Sequence, residues 1–167
     1  MIEALAAALL LGATSTMFDV AAAELEVQGR PAYLMARTLA ISFSIGGIVG
    51  ARARQVALGA VCGLFPAALA AAIYFGLTPM IGTAALALAW VAFWSAFCLL
   101  NAMLGEGIGP AASLALGVAA ALLSGAAFQA IASGWVEESP EQPSVLRALV
   151  LWTATFLPGF LALFWRR

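Results

Sequence analysis

Asp19 is the single aspartate of the chain and the one carboxylate set within an apolar stretch. Thr16 and Ser15 precede it by three and four residues, so on a helix their hydroxyls share its face. An ionisable group at membrane depth marks a ligand, a proton path or a partner charge. Two readings stand side by side: a ligand or proton site, or a structural residue at the outer edge of a first span. About 27 Å of helix separates Met1 from Asp19 at roughly 1.5 Å per residue, close to the far edge of a ~30 Å hydrocarbon core. Arg37, at the start of the next span, is the expected partner.

The missing residues narrow the chemistry. No histidine is present, which removes the commonest general base, metal ligand and haem ligand. No lysine is present either, so no Schiff base can form. A single aspartate cannot supply an aspartyl protease pair. Cys62 and Cys98 lie 36 positions apart inside apolar runs, without a C-x-x-C motif, and read as packing residues. The chain is therefore expected to be no enzyme, with no metal and no cofactor. An enzyme using Asp19, Glu24 or Glu26 is the weakest alternative.

The other deep polar groups are neutral. Gln129 is the costliest to bury unpaired; it either bonds a neighbouring helix or reads the polar head of a ligand. Pro66 and Pro158 stand mid-helix and each frees a carbonyl four residues earlier, at Cys62 and Ala154. Pro158-Gly159 is expected to kink or break its helix. Freed backbone at this depth is tolerated against protein or a cavity. Trp90 and Trp94, one turn apart, share a face that either packs or lines a cavity. Asp19, Ser15, Thr16, Gln129, Pro66, Pro158 and Trp94 are the candidate ligand-binding residues.

These residues need elements to hold them, and composition says which. Of 167 residues, 65% are apolar and 9% charged, and the mean hydropathy is +1.06. A soluble domain carries about 25% charged residues, and apolar runs of about 20 span a bilayer. The chain is expected to be all-α, a single membrane domain over 1–167 with six transmembrane helices and short loops.

The segments run Ile2–Ala23 (continuing through Glu24–Gln28), Ala32–Gly50, Gln55–Phe75, Met80–Leu104, Ala111–Trp135 and Ser144–Trp165. Gly76 is expected to end the third, leaving a link of Gly76 to Pro79. Glu3 and the lack of a basic residue before the first apolar run argue against a cleaved signal. Pro66 and Pro158 fall in the third and sixth spans, the placement expected of two inverted three-helix halves. Gly46 and Gly50, spaced G-x-x-x-G, are expected to mark a close helix contact and a possible homo-oligomer.

With both termini inside, Arg52, Arg54, Arg166 and Arg167 face the cytoplasm and Arg30, Arg37 and Arg147 the outside. A bacterial inner membrane is the expected location. Neither charged rings nor a carbonyl filter for ions is visible. The composition suits an apolar cavity with a few hydroxyls and amides. The expected function is a small transporter, or a protein that binds a neutral or amphiphilic solute or lipid between its helices. The alternative is a non-catalytic lipid-binding regulator or scaffold working through helix contacts. Membrane lipids and a small-molecule ligand are the expected partners, and no nucleic acid.

Overall fold

In hydrocarbon every backbone donor needs a partner within its own segment, so long apolar runs fold as helices. The structure, a computed structural model, describes residues 1–27, 30–105, 108–135 and 144–165. The helices are α1 (Ile2–Glu24), α2 (Pro31–Arg52), α3 (Val56–Cys62), α4 (Leu64–Ile81), α5 (Ala84–Met103), α6 (Pro110–Trp135) and α7 (Val145–Leu163). No strand occurs among the described residues. With α3 and α4 counted as one, six spans are long and apolar enough to cross a membrane. The polar run 136–143, Gln28, Gly29, Glu106, Arg166 and Arg167 lie outside the described residues.

Several boundaries differ from the sequence expectation, each for a local reason. α1 stops at Glu24 instead of continuing to Gln28. Glu26 takes a left-handed φ of 51°, and the Val27 N–H returns to the Ala22 carbonyl at 3.1 Å. That bond closes the last turn and ends the helix. α2 ends the same way: Arg54 has φ 59°, and the Gln55 N–H bonds the Gly50 carbonyl at 2.7 Å.

The third span is interrupted at a single residue, Gly63, which keeps a helical φ of −62° and ψ of −19°, and Pro66 follows as the third residue of α4. α3 ends at Cys62, the residue whose carbonyl Pro66 leaves without a helical donor. At its far end α4 passes Gly76 and carries Pro79 inside its last turn. The reversal falls instead at Gly82, whose φ of +59° is a conformation that favours glycine. Pro158 also sits inside a continuous helix: α7 runs through Pro158-Gly159 to Leu163 without a break.

The helices pack in a ring. α1 packs on α7, α7 on α6, α6 on α5, α5 on α4, and the α3–α4 span on α2; α2 closes weakly back on α1. This cyclic order follows the order in sequence. A twofold axis in the membrane plane reverses cyclic order in projection, whereas matching each span to the one three further on preserves it. The ring order thus gives no support to two inverted halves.

Close approaches at glycines hold the ring, among them Gly12 of α1 on Thr153 of α7 and Gly117 of α6 on Ser95 of α5. On the α2–α3 seam, a Cβ at Gly46 would stand 2.7 Å from the Gly63 Cα, and one at Gly50 2.9 Å from the Gly59 Cα. Glycine at all four positions lets the backbones touch. The expected close contact of Gly46 and Gly50 is thus made inside the chain, and those two glycines are covered by α3 rather than free for a second copy.

A further approach is that of α7 on α5. Any Cβ at Gly159 would run into the Trp94 indole. Trp94 is wholly buried and wedged between Phe156 and Phe160, with ring centroids 6.5 and 6.2 Å away. The Phe97 ring lies 6.4 Å away, and Leu11 and Ile45 belong to the same buried core.

Candidate ligand-binding cleft

α2 is held firmly by α3 and at its two ends, and loosely elsewhere. At one end Arg37 Nη1 donates to Asp19 Oδ1 of α1 at 2.6 Å. The Arg37 guanidinium lies 4.5 Å over the Trp152 ring of α7, a cation–π contact. Trp152 Nε1 donates to the other carboxylate oxygen of Asp19. Nearby, the Tyr33 hydroxyl donates to the Phe18 carbonyl, and the two rings meet edge to face.

At the opposite end Arg52 Nη1 donates to the Leu163 carbonyl at 3.0 Å and lies 4.2 Å over the Phe164 ring. Asn101 Nδ2 bonds the same carbonyl at 2.9 Å. A cation at the last carbonyls of α7 also suits the negative end of that helix. Trp152, Phe156, Phe160 and Phe164 recur every fourth residue, one ladder along α7. Two arginines of α2 therefore clasp the two ends of one aromatic ladder.

Between the clasps α2 stands off from α4 and α5, leaving a cleft of about 460 Å³. That is within the range of small-molecule sites, roughly 300–1,000 Å³. Its wall on α4 is made of Ala67, Ala68, Ala70 and Ala71, followed by Tyr74 and Phe75. Trp90 and Phe93 of α5 and Trp152 and Phe156 of α7 form the far side.

The cleft is graded along its length. α2 is antiparallel to the α3–α4 span, so Arg37, Thr38 and Tyr74 cluster toward the Asp19 end, with Ile41, Ala67, Phe93 and Phe156 deeper. Polar groups therefore border only the shallow half. Thr38 donates its hydroxyl proton to the Leu34 carbonyl at 2.8 Å, leaving its oxygen able to accept. The Tyr74 hydroxyl has no hydrogen-bond partner among the described residues. Arg37 is the one charged residue among the described residues of the lining.

The candidate residues named from sequence fall mostly outside this cleft. Asp19 stands behind Arg37, with both oxygens engaged by protein donors. Ser15 is wholly buried with no partner for its hydroxyl among the described residues, and Thr16 returns its hydroxyl to the Gly12 carbonyl at 2.8 Å. Gln129 is exposed on α6, on the same outward face as Leu122 and Ala126. There its amide lies within two turns of the helix end and can reach toward the interface. Pro66 is buried next to Ala67 without lining the cleft, Pro158 is half-buried on α7, and Trp94 is core. Only the pairing of Asp19 with Arg37 brings a named candidate to the cleft's edge.

Sequence reasoning passed over Thr38, Tyr74, Trp152 and the alanines of α4. The signal available was the Ala67-Ala68-Leu69-Ala70-Ala71 run, a stretch of small side chains on a helix that otherwise carries bulky ones.

These features define an all-α membrane protein of six spans with a laterally placed, mostly apolar cleft. Comparison with known protein families, with curated proteins and with solved structures finds no match.

Proposed function

We propose that this protein is a non-catalytic binder of a lipid or other amphiphile, taken from the bilayer into the cleft between α2 and α4–α5. The observation that carries the reading is the polarity gradient of that cleft: hydroxyls and a neutralised arginine at the shallow end, alanine and aromatic rings at the deep end. A molecule with a polar head and an apolar body matches it in one orientation. The burial of Trp94 against Phe156 and Phe160 in the core supports binding over transport. Both termini lie on the cytoplasmic side in this reading, in a bacterial inner membrane, with Arg52 and Arg54 on that side.

Trp90 and Trp152 line the cleft and report on it. A tail-brominated monoacylglycerol in detergent micelles is expected to quench tryptophan fluorescence saturably. Ala71→Phe, which fills the cleft, is expected to remove most of that saturable quenching while the far-ultraviolet spectrum stays helical. Equal saturable quenching in both proteins would refute the reading.

A further inference from the structure

The cleft's single charge is cancelled from behind. Arg37 is only 14% exposed and its partner Asp19 31%. The Asp19 carboxylate takes Arg37 Nη1 on one oxygen and Trp152 Nε1 on the other. A ligand in the cleft meets the guanidinium face and the Thr38 and Tyr74 hydroxyls, not the carboxylate, which is outside the lining. Arg37 Nη2 is buried and has no hydrogen-bond partner among the described residues; Asp19 and Trp152 hold the arginine in this pose.

Resting on the lateral-binding reading, we propose that Asp19 is a specificity-determining residue rather than a ligand contact. By neutralising Arg37 it makes the cleft select an amphiphile with an uncharged head bearing hydroxyl or carbonyl oxygens. The physical reason is desolvation. A charged head entering a low-dielectric cleft loses hydration and needs a compensating charge. Arg37 would supply one to an anion, but Asp19 already occupies it, and the sum over the pair is zero. A cationic head would meet the positive Arg37 first, with Asp19 shielded behind it. An uncharged head loses little and is met by a free donor at Tyr74 and a free acceptor at Thr38.

The inference inverts cleanly on one change. Asp19→Asn keeps the side chain's shape and leaves Arg37 uncompensated, so the cleft should then prefer an anion.

The experiment titrates the wild-type protein and Asp19→Asn with three amphiphiles of one acyl tail, competing against the brominated monoacylglycerol. The three are the unbrominated monoacylglycerol, the matching lysophosphatidic acid and the matching alkylamine. Wild type is expected to bind the monoacylglycerol about tenfold more tightly than either charged form, a factor equal to about 1.4 kcal/mol, and Asp19→Asn to bind the lysophosphatidic acid best. Tyr74→Phe, which leaves the ion pair in place, guards against a misfolded Asp19→Asn. It is expected to weaken the monoacylglycerol several-fold without making the lysophosphatidic acid the tightest binder. Preference for the lysophosphatidic acid by wild type, or an unchanged order in a folded Asp19→Asn, would overturn the role of Asp19 while the cleft still binds. Saturable binding by none of the three, with Ala71→Phe indistinguishable from wild type, would instead overturn the cleft reading itself.

Discussion

Asp19, Arg37 and Trp152 tie three helices at a single point. Each carboxylate oxygen has its own donor, and the arginine has a ring to lie on. Hydrogen bonds to charged groups contribute about 1.5–3 kcal/mol each. Asp19→Asn removes the ion pair and leaves a largely buried cation, so it is expected to lower stability by roughly 2 kcal/mol. Trp152→Phe keeps the stacking on Phe156 but removes one donor, and is expected to lower stability by about 1 kcal/mol. Thermal unfolding in detergent, with the two variants side by side, checks the order. If the Asp19→Asn protein melts with wild type, the cluster contributes no stability. The Asp19–Arg37 pair was legible in the sequence, because both sit at matching depths on consecutive spans. Trp152 was not, because its place beside them depends on the last helix closing against the first.

At the scale of the element, glycine decides where helices touch. The Gly46, Gly50, Gly59 and Gly63 seam has no room for a Cβ, whereas Gly76 has no neighbouring atom within 4 Å. Opposite outcomes follow from one kind of substitution. Gly46→Leu must push α3 away from α2 and is expected to destabilise by roughly 2–3 kcal/mol. Gly76→Ala, within α4 and in open space, is expected to stabilise by about 0.5–1 kcal/mol through helix propensity. Gly159→Ala is expected to cost about 1–3 kcal/mol, because the Trp94 indole must move. Melting temperatures of the three proteins in one detergent test the set, and a stabilising Gly159→Ala would contradict the wedge of Trp94.

Spans were legible from their apolar runs, since length and composition alone set them. Their ends were not. Glu26 and Arg54 adopt left-handed turns that glycine usually supplies, Pro66 falls in the first turn of α4 just past Gly63, and Pro79 falls inside its last turn. Residue type alone does not separate a proline near a helix end from one in its middle.

At the scale of the whole molecule, a ring of six spans surrounds a buried apolar core and leaves a cleft on one side. The cleft lies between α2 and the alanines of α4, and the two arginine clasps hold α2 at its ends. The sequence reading located polar and helix-breaking residues and expected a cavity among them. Most of those residues lie outside the cleft, with Asp19 paired to Arg37 at its edge and Gln129 exposed on α6, and the cleft runs along the alanines of α4. A cavity is made by what neighbouring helices fail to fill, which depends on helix order and rotation. Neither is written in a run of alanines.

The most direct test of a lateral amphiphile site is native mass spectrometry of the protein extracted in mild detergent, wild type beside Ala71→Phe. Wild type is predicted to retain one amphiphile through delipidation that strips the bulk lipid, and the filled variant to emerge without it. Wild type emerging bare, or both proteins retaining the same molecule equally, would contradict the account.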